Sequence, residues 1–139
     1  MILLDTNVLS ALMRRTPDLS AIAWLDRQPP ASVWTTSITV LEVRFGLQAM
    51  APGKKRSALL ELFELVLTEK IDRRVAPFDA LAARHSSELM AGRQKSGRPG
   101  ELRDTMIAGI VLASRATLAT RNTRHFDDLM IPLINPWEV

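Results

Sequence analysis

The pattern that most restricts the fold is a set of short apolar runs, each ending on a polar residue and followed by a helix-patterned segment. Ile2-Leu3-Leu4 ends at Asp5, the stretch from Ser32 to Thr36 at Ser37, and the stretch from Ala116 to Thr120 at Arg121. None is joined to the next by a two-residue hairpin turn, so the connections are crossovers. Short apolar strands alternating with helices argue for an α/β fold with a mainly parallel sheet. In such sheets ligands collect beyond the carboxyl ends of the strands, where the winding changes direction. At 139 residues the chain is most simply one domain over residues 1–139.

The local signals divide the chain as follows. Ile2 to Leu4 reads as a buried strand and Asn7 to Arg15 as a helix. Thr16-Pro17-Asp18 predicts a helix start, with Thr16 as N-cap and Pro17 at the first position, running to about Arg27. Gln28-Pro29-Pro30 stops it, and Ser32 to Thr36 forms a second strand. Ser37 then caps a third helix carrying Val40, Leu41, Phe45 and Leu47 on apolar faces. A fourth helix follows Pro52-Gly53. Its run from Leu59 to Leu67 is apolar over much of the circumference, which fits deep burial or contact with another chain. Ile71 to Ala76 reads as a strand, and Pro77-Phe78-Asp79 opens a long helix to about Lys95. Ser96 to Gly100 is a loop. Then come the helix carrying Asp104, a strand from Ala116 to Thr120, a turn with a short helix from Asn122 to Asp127, and an edge strand at Leu133-Ile134.

Composition removes several chemistries. No apolar run approaches the roughly 20 residues that span a bilayer. Met1 to Leu4 is too short for the apolar part of a secretory signal, so a cytoplasmic location without membrane attachment is expected. There is no cysteine, which excludes disulfides, thiolate nucleophiles and iron–sulfur clusters. The net charge of +3 is compatible with binding a phosphate backbone without demanding it.

Three acids stand where folding has little use for them. Asp5 closes the first apolar run, Glu42 interrupts Ile38-Thr39-Val40-Leu41-Glu42-Val43, and Asp104 precedes the apolar helix from Thr105 to Ala113. The strand–helix order delivers all three to one edge of the sheet. Thr6 and Asn7 join them there, as do Thr120, Arg121 and Asn122 from the end of a later strand. Carboxylates crowded in this way raise each other's pKa values and oppose folding unless a cation relieves them. Oxygen-only ligands with no cysteine and little histidine point to Mg²⁺ or Mn²⁺ rather than zinc. Such an ion activates water and neutralises charge on a phosphate, and a pair about 3.5–4 Å apart serves both attacking and leaving oxygens. Phosphodiester hydrolysis is the natural reaction class. Arg121 and Arg124 flank the edge and suit substrate phosphates. Asp5 alone reads equally well as a turn residue, Asp104 as a partner of its helix dipole, and Glu42 as an ion-pair partner of Arg44 or Arg14. His125 reads as an incidental turn residue, and Trp24, Trp34 and Trp137 as packing.

Four stretches, Leu3-Leu4-Asp5-Thr6-Asn7-Val8-Leu9, Ser37-x4-Glu42-Val43, Gly97-Arg98-Pro99 ahead of Asp104-x2-Ile107-Ala108, and Ala119-Thr120-Arg121-Asn122-x3-Phe126, together resemble a PIN-domain protein. Their order and spacing are most similar to VapC toxins and FitB-like relatives of bacterial toxin–antitoxin pairs. The resemblance covers essentially the whole chain. It implies a three-layer α/β/α fold with a central twisted sheet and a metal-dependent ribonuclease with RNA as substrate. It also implies a homodimer, inhibited by a small DNA-binding antitoxin with which it represses transcription on operator DNA. Asp5, Glu42 and Asp104 match the family's acidic positions, and Thr6 and Thr120 its hydroxyl positions. Asn122 stands where many relatives place an aspartate, and His125 where others carry a further acid. That departure implies one firmly held metal, with a second recruited when substrate phosphate supplies ligands.

Other readings fit less well. An aspartyl phosphotransferase wants a second aspartate two residues after the first, and position 7 is Asn7. No glycine-rich loop follows the first strand, and no nucleophile elbow is present. The remaining alternative is a PIN-like binding module acting mainly in an antitoxin–operator complex.

Overall fold

The computed structural model describes residues 1–16 and 18–139. Strand β1 (Ile2–Leu4) leads into α1 (Thr6–Leu12) and α2 (Leu19–Asp26); β2 (Val33–Thr36) leads into α3 (Ser37–Gln48) and α4 (Lys54–Leu65). A π-helical turn, Val66–Lys70, precedes β3 (Val75–Ala76), which is followed by α5 (Ala80–Lys95), α6 (Leu102–Ser114), β4 (Thr117–Ala119) and β5 (Leu133–Ile134). The sheet order is β3-β2-β1-β4-β5, and every pairing is parallel. The chain first winds outward from β1 to β3 and then returns on the other side of β1 through β4. The change of direction therefore falls between β1 and β4, and a crevice opens beyond their carboxyl ends.

Alternation along β1 sends Leu3 and Leu4 to opposite faces, and both are fully buried. Leu4 joins Val8, Leu9, Trp24, Val43 and Phe63 under α1 to α4; Leu3 joins Ile107, Ile110, Val111, Leu118 and Phe126 under α5 and α6. These two cores on either side of one sheet make the expected α/β/α sandwich. Helices α5 and α6 approach especially closely at Gly109, where a Cβ would come within 1.9 Å of Ser86 Oγ and 2.6 Å of the Ala82 carbonyl oxygen.

Several local expectations are corrected. Helix α1 stops at Leu12 rather than Arg15, because the Met13 N–H turns back to the Ser10 carbonyl. Asp18, not Thr16, caps α2 by accepting from the Ser20 amide; Pro17 lies outside the described residues. Thr36, not Ser37, caps α3 through the Thr39 amide, while Ser37 Oγ accepts from the Phe78 amide. On α3, Leu41 and Phe45 face solvent, and the core is met by Ile38, Val43 and Leu47. Phe63 is the fully buried residue of α4, and Leu65 is 55% exposed, so that helix is not deeply buried. The strand expected from Ile71 shrinks to Val75–Ala76, since Asp72 and Arg73 adopt left-handed backbone angles that break extension.

Candidate active site

The crevice between β1 and β4 is built around Asp5, the residue immediately after β1. Its backbone amide donates to the Ala119 carbonyl, which continues the β1–β4 ladder by one residue. Its side chain is the N-cap of α1: Oδ1 accepts from the Thr6 amide at 2.8 Å, and Oδ2 accepts from the Thr120 hydroxyl at 2.7 Å. Asp5 is 4% exposed. Burial pushes its carboxyl above the usual range and the Asp104 charge adds to this, while the hydroxyl of Thr120 and the amide of Thr6 oppose it.

Asn7 and Thr120 lock the two strand ends together. Asn7 Oδ1 accepts from the Arg121 amide at 3.0 Å, and Asn7 Nδ2 reaches Thr120 Oγ1 at 3.5 Å. Thr120 Oγ1 also accepts from the Asn122 amide at 3.0 Å. One hydroxyl thus organises the turn after β4 and orients the Asp5 carboxylate. This is why a threonine, with both donor and acceptor capacity, suits the position.

Glu42 enters from the second turn of α3 and accepts from the Thr6 hydroxyl at 3.2 Å. Burial raises its carboxyl, with the charges of Asp5 and Asp104 adding to the effect and Arg103 opposing it. The ion pair with Arg44 that the sequence allowed does not form; Arg44 pairs with Glu64 across α3 and α4. Asp104 lies in the first turn of α6, which Glu101 caps by accepting from the Asp104 amide. Burial also raises the Asp104 carboxyl, against the pull of His125.

The three acids therefore share an edge and perturb one another. Thr6 and Thr120 tie Glu42 and Asp5 into one hydrogen-bonded group, and Asp104 reaches that group through charge. Among the described residues, no group of three Asp, Glu or His side chains is close enough to grip a single ion as placed.

Two residues that sequence reasoning passed over complete the arrangement. His125, read there as incidental, donates from Nδ1 to Asp104 Oδ2 at 2.8 Å or forms a charged pair with it. Arg93, near the end of α5, is 5% exposed and gives two parallel bonds to Asp128, each 2.9 Å. Its remaining donors reach Thr105 Oγ1 at 2.9 Å and the His125 carbonyl at 3.1 Å. Arg93 thus pins the turn carrying His125 against the first turn of α6, which carries Asp104. Its one sequence signal was an arginine on the buried face of α5. Gly100, at φ +68°, leaves room for that guanidinium, because a Cβ would meet Arg93 Nη1 at 2.9 Å. Arg93, Arg98, Glu101, Asp104, Arg124 and His125 line a cleft of about 330 Å³ here. Of the two arginines expected to flank the site, Arg124 lines this cleft, and Arg121 lies with its guanidinium 4.8 Å from the Trp137 ring centroid.

A sheet reversed between β1 and β4, with acids from β1, α3 and α6 beyond it, is the architecture of a PIN domain. Residues 2–130 match that family, and the chain belongs to it. Over 138 residues it is 40% identical to the VapC ribonuclease Y4jK of Sinorhizobium fredii, covering 99% of each chain. It is 34% identical over 137 residues to the toxin FitB of Neisseria gonorrhoeae, again covering 99% of each. The solved structure of FitAB bound to a DNA fragment superposes with a TM-score of 0.89 at 33% identity, over 100% of this chain and 97% of that one.

Proposed function

We propose that this chain is a divalent-metal-dependent endoribonuclease that hydrolyses RNA phosphodiester bonds as the toxin of a toxin–antitoxin pair. The observation that carries the reading is the shared edge of Asp5, Glu42 and Asp104, each with its carboxyl raised by burial, Asp5 and Glu42 further by others of the three and Asp104 further by Glu101. Mutual destabilisation of this kind favours a cation. The donor set suits Mg²⁺ or Mn²⁺: it is all oxygen, hard and anionic. Asp5, Glu42 and Asp104 would hold the ion. When bound, such an ion lowers the pKa of water and neutralises charge on the phosphate. The chain's own residues do the rest. Thr120 and the Thr6 amide fix the orientation of Asp5, Thr6 Oγ1 holds Glu42, and His125 restrains Asp104. Arg124, in the cleft beside Asp104, supplies positive charge for a substrate phosphate, and Asn122 keeps the fourth position neutral, consistent with one firmly held ion and a second arriving with substrate.

The relative named a ribonuclease supports this reading over the non-catalytic alternative. A small antitoxin and operator DNA as partners are supported by the FitAB–DNA structure. An apolar groove between α2 and α4, lined by Ile22, Leu25, Leu62, Leu65 and Val66, offers such a protein a seat. The exposed Leu41, Phe45 and Leu65 fit a homodimer as well. No helix among the described residues is long and apolar enough to cross a membrane. An RNA substrate and operator DNA as partners place the protein, in this reading, in the cytoplasm, as one unit over residues 1–139.

The test is cleavage of RNA by protein freed of any copurifying partner. Activity is expected with Mg²⁺ or Mn²⁺, and its loss with a chelator or in Asp5→Asn. Equal cleavage by the variant would remove these acids from the active site.

A further inference from the structure

Between the turn after β4 and the segment after β5 lies a second hollow of about 300 Å³, which adjoins the cleft beside Asp104 and shares Arg124 and His125 with it. Its walls are Arg121, Asn122, Arg124, His125, Asn135 and Glu138. We propose that this hollow is a nucleobase subsite, which selects RNA bases carrying an exocyclic amino group next to the scissile phosphate. The inference rests on the nuclease reading above and names how that site would choose its substrate.

The observations point to a base rather than to another phosphate. Arg121 holds its guanidinium 4.8 Å from the Trp137 ring centroid, so one face of a flat cation is backed by an indole. Trp137 is itself fixed: Nε1 donates to Asp18 Oδ2 at 2.6 Å, and its amide donates to Asn135 Oδ1 at 3.0 Å. The opposite face of a guanidinium held this way is a stacking platform for an unpaired base. The polar groups around it include two amide side chains and a carboxylate, Asn122, Asn135 and Glu138. A carboxylate repels phosphate but accepts hydrogen bonds from the amino groups of cytosine, adenine or guanine. The Asn122 side chain matches the paired donor and acceptor edges of such bases, and Asn135, whose Oδ1 is taken by the Trp137 amide, offers its Nδ2 as a donor.

Position supplies the second argument. The Asn122 amide bonds the same Thr120 hydroxyl that donates to Asp5, and His125 contacts Asp104. The hollow therefore shares its inner wall with the acids. A nucleotide whose phosphate lies over them has its neighbouring base directed to Arg121 and Glu138. Uracil, with a carbonyl oxygen where cytosine has its amino group, meets Glu138 unfavourably.

The experiment is fluorescence polarisation of labelled tetranucleotides of C, A and U in EDTA, so that binding is read without hydrolysis. C and A are expected to bind about tenfold more tightly than U. Glu138→Ala and Asn122→Ala, both at exposed positions, should bring that ratio to within about twofold, and Arg121→Ala should weaken all three oligonucleotides alike. Equal binding of C and U by the native protein, or a ratio that survives both variants, overturns the proposal. Cleavage of the same RNAs with Mg²⁺ is measured in parallel. Base-selective binding without cleavage defeats the nuclease reading alone; cleavage without base-selective binding defeats the subsite alone.

Discussion

Replacing Arg93 by methionine keeps the length of the side chain and removes its guanidinium, which isolates the hydrogen-bonded pin behind the candidate active site. Arg93 is 5% exposed, and the lost interactions are two 2.9 Å bonds to Asp128 and single bonds to Thr105 Oγ1 and the His125 carbonyl. Removing one partner of a buried pair costs about 3–5 kcal/mol. The Asp128 side chain, however, is 28% exposed, so water compensates part of its loss. That places the ion-pair share at about 2 kcal/mol, and the two neutral acceptors add about 0.5 kcal/mol each. A total near 3 kcal/mol corresponds to a fall in Tm of about 10 °C for a domain of this size. Differential scanning calorimetry measures it directly. A double-mutant cycle with Asp128→Ala should return most of the loss as coupling, because both changes remove the same pair of bonds. Arg93→Lys should recover less than half, since an ammonium cannot match the two-point geometry of the carboxylate. A Tm within about 3 °C of the native value would refute the reasoning: the guanidinium would then be exchanging its partners for water at no net cost.

Further expectations follow from the site and its packing. Asp5, Glu42 and Asp104 have raised carboxyls, so the folded state holds protons that the unfolded chain releases from the ordinary aspartate and glutamate values of about 3.8 and 4.5 upward. Their stabilising contribution is present below those values and is lost as the pH rises toward the folded ones. Asp128 and Glu101 are shifted down and act in the opposite sense, losing stability as the pH falls through their folded values. Metal-free protein should therefore lose urea stability as the pH rises above about 4.5, with a smaller loss in Asp5→Asn; an unchanged slope in the variant sinks the assignment. Gly109→Ala should cost more than about 2 kcal/mol, because its Cβ would meet both Ser86 Oγ and the Ala82 backbone, and a native-like urea midpoint would count against the close α5–α6 approach. Asn122→Asp should lower the Mg²⁺ concentration needed for half-maximal RNA cleavage, read from a metal titration; no shift would mean that this position does not face the ion.

Much of this architecture was legible from local chemistry. Apolar runs ending on Asp5 and Arg121, joined by helix-patterned segments, carry the parallel sheet on their face, and the winding reversal then fixes which residues share an edge. The three acids were visible because a charge beside an apolar run has few structural uses. Helix caps were less legible, since adjacent candidates compete and tertiary partners decide between them. Ser37 loses the cap to Thr36 because its hydroxyl is taken by the Phe78 amide, 41 residues away. Leu41 and Phe45 misled for a related reason: helical periodicity gives the spacing of an apolar face, and it does not say whether a core lies under it.

The relation between Arg93, His125 and Asp104 marks the limit of such reading, and it changes how the fourth position is understood. His125 in a turn carries no signal by itself. It acquires a role because Arg93, 32 residues earlier, holds its carbonyl, and because α6 presents Asp104 to its ring. With Asn122 neutral and His125 bonded to Asp104, these two positions add no carboxylate to the side of the crevice nearest the turn after β4. Negative charge is instead concentrated at Asp5 and Glu42, both restrained by Thr6. Asp5 and Glu42 would be the main holders of a divalent ion, and Asp104, whose carboxylate His125 already engages, would contribute less. The asymmetry makes Asp5→Asn and Glu42→Gln more damaging to metal affinity than Asp104→Asn. Calorimetric Mn²⁺ titrations of the three variants test that order, and equal losses in all three would show a symmetric site.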